Sequence, residues 1–264
     1  MTDHDYKTGA SGKPREELPF VAPCRQLTFN APFRWIKLGW QDFKHAPRQS
    51  ISYGVMMVVS SYGITLLALK YGNLYSLLSL LSGFILLGPI VAIGLYSISS
   101  QLQEGKIPIL GHCLREGRRQ LGNLMVLGFI LLVVFLIWAR SASMLHIFYP
   151  VESGAKIDKF VLFFSIGTGV GAVFSAIIFI ISAFSLPMIM DRKVDMVTAV
   201  ITSANAVLRN KLAMLVWSLL IVLSVLLSFA TAYLGFLVLL PVIGHATWHA
   251  YQETIDVSKW PKDE

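Results

Sequence analysis

Few residues in this 264-residue chain have the type and spacing for chemistry. His245 and His249 stand four apart in GHATWHAY, which sets both imidazoles on one face of a helix. Two histidines so placed can share a divalent metal, and one can ligate haem axially. Glu253 continues the face one turn on, and His45 and His112 lie in other segments of the same side as possible extra ligands. No glutamate stands between the two histidines, as a metallohydrolase would need. Three ligands strung along one helix over about 12 Å do not close a shell whose zinc bonds are about 2.0 to 2.2 Å. A metal would therefore need His245, His249 and a ligand from elsewhere. The alternative is a pair of hydrogen-bonding imidazoles at a membrane edge, beside Trp248. That is the reading taken, and no cofactor is expected.

Other groups offer less. Asp191 and Asp195 flank Arg192 and Lys193, where ion pairing or helix capping is simpler than paired-carboxylate catalysis. Asp42, Glu104 and Glu116 are expected to bond to nearby Arg and Lys. Cys24 and Cys113 form no CxxC and no disulfide framework. The glycine-rich SIGTGVGAVFSA lacks the lysine and the strand-turn-helix context of a phosphate loop. Its Gly167 and Gly171 suit close helix packing instead. No ionisable group falls at mid-membrane, which argues against a proton pump. Arg140 stands close enough to a helix end to snorkel.

The elements that must carry these residues are membrane helices. Hydrophobic residues make up 55% of the chain and charged ones 14%, against about 25% charge in a soluble domain. The charges cluster between apolar runs, so the chain reads as an all-α polytopic membrane protein. Six crossings are expected, near residues 51–69, 74–97, 124–144 and 161–188, with two more in the long apolar run 212–250, broken near 230–235. Residues 1–28 read as a polar cytoplasmic tail with no signal-peptide core, and 255–264 as a second tail.

Each odd-numbered crossing follows a basic segment that reads as an interfacial amphipathic helix. In the first, over 31–48, Phe33, Ile36, Trp40 and Phe43 recur at helical spacing, with Trp35 and Trp40 expected near the headgroups. In the second, Ile109, Cys113 and Leu114 are expected to face lipid. Pro89, Pro187 and Pro241 occupy matching places near the ends of the even crossings. Three pseudo-repeated hairpins follow, at about 31–103, 106–192 and 193–252. Eighteen Lys and Arg fall on one side and four (Lys70, Arg140, Lys156, Lys159) on the other. The bias places both termini in the cytoplasm. The net charge of +7 sits beside apolar runs, which suits anionic phospholipid and not nucleic acid.

The stretches FRWIKLGWQDF, GFILLGPIVAIGLYSISSQLQEG and GHATWHAY resemble a bacterial family of integral membrane proteins of unknown function, domain of unknown function 2189. The resemblance runs over about 35–251 and implies a multi-pass protein of the bacterial inner membrane. Some members of that family are labelled putative cytochrome c oxidase subunits. The deep haem and copper histidines of a catalytic oxidase subunit have no counterpart here. The expected role is a non-enzymatic accessory, assembly or scaffold protein, working with a membrane-protein partner or as a homo-oligomer, in a respiratory complex as one setting. The alternatives are a channel or carrier for a small anionic solute, and a lipid-acting interfacial enzyme using the face of His245 and His249.

Overall fold

The structure, a computed structural model, describes residues 19–71, 91–148 and 157–262. Pro89 and most of the expected second crossing lie outside the described residues. What is described is helical, with two isolated β-bridges and no strand.

A short helix, a single non-helical residue and a long helix occur in that order three times. Helix α1 (Ala31–His45) leads through Ala46 into α2 (Pro47–Tyr71), and α4 (Leu110–Arg119) leads through Gln120 into α5 (Leu121–Phe148). In the same way α8 (Met196–Arg209) leads through Asn210 into α9 (Lys211–Ala230). Pro47 opens α2, where its missing N–H costs nothing and its fixed φ suits the first turn. Asp195 caps α8 by accepting from the Thr198 N–H at 3.0 Å.

The return elements are broken helices. Helix α3 is described over 91–103. Helix α6 (Ile157–Ser182) stops two residues before α7 (Ser185–Asp191), and Pro187 is the third residue of α7. After α9 the chain turns at Ala232 and Tyr233, makes one 3₁₀ turn (Leu234–Leu237), and enters α10 (Leu239–Thr254), where Pro241 is again third. A proline ring clashes with the carbonyl four residues back, and both breaks fall there.

Among the described residues four helical stretches are long and apolar enough to cross a membrane: Pro47–Lys70, Leu121–Ser141, Ser165–Asp191 and Lys211–Ala230. Leu212, Leu215, Leu219 and Leu226 stand exposed along α9, and Met125 and Phe129 along α5. Apolar surface on this scale belongs in lipid. The sixth expected crossing differs from expectation. Helix α10 has 16 residues, a rise of about 24 Å, so it is shorter than the hydrocarbon layer of about 30 Å.

Helix α10 is the centre of the packing. Helix α1 runs antiparallel along it, and a Cβ on Gly39 would sit 2.5 Å from the Val242 carbonyl oxygen. A Cβ on Gly244 would strike Leu95 of α3, and one on Gly54 would meet the Leu237 backbone at 2.7 Å. The larger core gathers Trp35, Trp217, Trp248, Tyr251 and Phe184 around α10, and a smaller one joins α2, α3 and Cys113.

This packing corrects two expectations. Trp35 is fully buried rather than at the headgroups, edge-on to Trp217. Cys113 faces the smaller core and not lipid. At Gly171 of the GxxxG pair the contact is loose. A Cβ on Gly171 would meet only Trp138 Nε1, at 3.9 Å. Residues 23–25 pair with 254–256, where Arg25 N–H donates to Thr254 O and Asp256 N–H to Pro23 O, and Lys193 N–H of the α7–α8 link donates to Pro261 O.

Candidate functional site

The histidine pair projects from α10 into a polar seam between α1–α2 and α3. His245 is fully buried. Its Nε2 lies 2.9 Å from Ser50 Oγ and its Nδ1 2.8 Å from Ser99 Oγ. The Ser50 hydroxyl also meets the Ala46 carbonyl at 2.8 Å, as donor. A hydroxyl has one proton to give, so Ser50 accepts from His245 Nε2–H and Ser99 donates to Nδ1. Both ring nitrogens are thereby satisfied in a neutral imidazole.

His249 repeats the pattern one turn on. Its Nε2 lies 2.8 Å from Asp42 Oδ2, and its Nδ1 lies 3.4 Å from Gln103 Nε2. The Trp248 indole donates to Gln103 Oε1 at 2.9 Å. An indole only donates, so the amide of Gln103 must point its nitrogen at His249. His249 Nδ1 then accepts, and Nε2–H donates to Asp42. Ser99 and Gln103 are four apart on α3, as His245 and His249 are on α10, so the two helices meet rung to rung. Asp42, expected to pair with a cation, faces His249 instead.

The third residue of the expected metal face is also engaged. The Glu253 carboxylate accepts from Trp35 Nε1 at 2.9 Å and pairs with the Arg34 guanidinium. This bond explains the burial of Trp35, whose N–H needs an acceptor away from water. His45 is exposed and turns its Nδ1 to Gln41 O on its own helix, at 2.7 Å. The side chain of His112 lies outside the described residues. Among the described residues no three His, Cys, Asp or Glu side chains converge to hold a metal. A metal on the pair would have to displace Ser99 and Gln103 from the Nδ1 lone pairs.

Further polar contacts extend the seam. Asp191 Oδ2 accepts from Tyr251 OH at 2.8 Å and from Arg192 Nε at 3.0 Å, and Arg192 Nη1 donates to Trp260 O at 3.0 Å. Every buried side-chain nitrogen and oxygen among the described residues has a hydrogen-bond partner. Cys24 and Cys113 are free. Burial pushes both thiols above their ordinary range, the reverse of what a nucleophilic cysteine needs.

Of the expected site residues, His245, His249 and Glu253 share α10 but face different partners. Their partners Ser50, Ser99, Gln103, Asp42 and Trp35 were not identified from sequence. The available signal was the i, i+4 polar pair Ser99 and Gln103 in SISSQLQ, the polar end of α3.

No curated protein and no solved structure matches the chain. The family match is narrower than the resemblance over 35–251 and includes neither α1 nor α10. By residues 77–191, a little under half of its length, the chain matches the family described as "Predicted integral membrane protein (DUF2189)".

Proposed function

We propose that the protein is a non-enzymatic accessory or scaffold component of a bacterial inner membrane, built as three pseudo-repeated hairpins with both termini cytoplasmic. The observation that carries this reading is the closed hydrogen bonding of His245 and His249. Catalysis or carriage requires a polar group that can reach a substrate. Here His245 is buried, His249 is half-buried, and the ring nitrogens of both are satisfied by groups on α1, α2 and α3. The apolar exposure of α5 and α9 suits lateral contact with lipid and with other membrane helices.

Two features support the repeat: the recurring order of short helix, one-residue break and long helix, and the place of Pro187 and Pro241 as third residue of α7 and α10. The eighteen-to-four charge bias supports the orientation. The carrier and lipid-enzyme readings both need a member of the histidine face with a free site, which the hydrogen bonds of His245, His249 and Glu253 do not favour.

The test has two arms. Protein purified without a histidine tag is assayed for bound metal, and native gels of mild-detergent extracts report its assembly. The expected outcome is no stoichiometric metal and migration as a complex above the 29.3 kDa chain. One zinc, copper or iron per chain, lost on joint His245→Ala and His249→Ala substitution, would overturn the scaffold reading.

A further inference from the structure

A cavity of about 360 Å³ opens where the α4–α5 junction meets the α7–α8 link, lined by Arg119, Gln120, Asn123, Arg192 and Lys193 with Ile189 and Val194. We propose that it binds a phosphate group carried by an anionic phospholipid or by a free phosphate. The inference is independent of the histidine reading, because Ser50, Ser99, Asp42 and Gln103, the partners of His245 and His249, do not line the cavity.

Three cations and two carboxamides line this space, and no described carboxylate does. The acids at the two ends of the α7–α8 link are already bonded, Asp191 to the cavity's own Arg192. Asp191 holds Arg192 Nε and Tyr251 OH, and Asp195 caps α8 through Thr198 N–H. The walls are also braced. Gln120 donates to Ile189 O at 3.3 Å and accepts from Asn123 Nδ2 at 3.0 Å, joining both sides of the cavity. Arg192 is fixed by Asp191 and the Trp260 carbonyl, and the backbone of Lys193 is held by Pro261. A braced guanidinium loses little freedom when an anion arrives.

Depth selects the ligand. The cavity lies where two candidate spans end, at Leu121 and at Asp191. Lipid phosphates occupy this boundary, and basic pockets between membrane helices hold such headgroups. A phosphate offers several strong acceptor oxygens to the guanidinium, ammonium and amide donors gathered here.

The test uses the full-length protein in detergent, with native mass spectrometry against phosphatidylglycerol and phosphatidylcholine of matched chains. Thermal shift with inorganic phosphate forms a parallel arm. Wild-type protein should retain phosphatidylglycerol in preference, and the joint Arg119→Gln, Lys193→Gln variant should lose that preference by about ten-fold. Lys193→Gln alone, at an exposed side chain held only through its backbone, should show part of the loss in a protein that folds normally. The joint Lys37→Gln, Lys44→Gln variant, on the exposed face of α1, should keep the preference. Stabilisation by inorganic phosphate that the cavity variants abolish, without lipid preference, would assign the site to free phosphate. No response in either arm, or equal loss from the α1 variant, would overturn the proposal.

Discussion

The α1–α10 contact and the α5–α6 contact are built on opposite terms. At the first, backbone meets backbone at Gly39, and three polar pairs join α10 to α1: Glu253 with Arg34, Glu253 with Trp35, and His249 with Asp42, while His245 reaches Ser50 on α2 just beyond. At the second, the nearest neighbour to a Cβ on Gly171 is one indole nitrogen, and Gly169 faces open space. Gly169 and Gly171 therefore do not mark a close crossing. The close crossings here use lone glycines set beside polar residues that must find partners. Hydrogen bonds across membrane helices average only about 0.6 kcal/mol, so tight packing and several rungs together are needed to fix one register.

The largest test of this contrast is a pair of alanine substitutions. Gly39→Ala puts a methyl 2.5 Å from a backbone oxygen and 2.7 Å from the Ala246 nitrogen, and no rotamer relieves it. The expected cost is about 2 to 3 kcal/mol, as for overpacking a full core. Gly171→Ala should be neutral or slightly stabilising, because alanine favours the helix by roughly 0.8 to 1.0 kcal/mol. Thermal unfolding in detergent, followed by tryptophan fluorescence, separates the two. Equal effects would mean that the contacts do not differ as described.

Next in size is the loss of His245. His245→Ala leaves Ser50 and Ser99 facing each other across a buried gap, at a cost of about 1 to 3 kcal/mol for unsatisfied groups plus a cavity. Joint Ser50→Ala and Ser99→Ala substitution in the same background should recover part of that loss by removing the orphaned hydroxyls. If stability stays unchanged in His245→Ala, the imidazole is not the structural rung proposed.

His249 should matter less, since its side chain and that of Asp42 retain 12% and 14% exposure and water can replace part of the bond. His249→Ala is expected to cost about 1 kcal/mol. In a double-mutant cycle with Asp42→Asn, the two changes should be non-additive, because they remove one shared contact.

These rungs also show how far the sequence could be read. The spacing of His245 and His249, the breaks around Pro187 and Pro241, and the capping by Asp195 are local properties, set within a few residues. Their partners are not local. Ser99 and Gln103 precede the histidines by 146 residues each, and nothing in a single sequence pairs two helices so far apart. Trp35 shows the same limit. Its place in a basic aromatic segment suggests the headgroup region, while its burial depends on a carboxylate supplied by Glu253. The break near 230–235 was legible, but the shortness of the helix after it was not, because apolar composition stays high through the 3₁₀ turn and only the backbone shows that α10 begins at Leu239.

The smallest expected effect lies at the turn between α9 and α10, the far end of the same return element. Ala232 and Tyr233 both have positive φ, 50° and 70°, a region that costs a residue with a Cβ roughly 1 to 2 kcal/mol. Aromatic packing holds the turn. Tyr233 stands edge-on to Tyr62 and Phe229, its hydroxyl lies 2.9 Å from Thr65 Oγ1, and the Tyr62 hydroxyl donates to Ala232 O. Ala232→Gly removes the Cβ penalty but loosens the unfolded chain by roughly 0.5 to 1 kcal/mol. The net gain should stay below about 1 kcal/mol. The same change at Tyr233 should destabilise, because the ring contacts outweigh the relief. A gain from Tyr233→Gly would show that the cluster is incidental, and that this end of α10 is held by the glycine crossings at Gly54 and Gly244 alone.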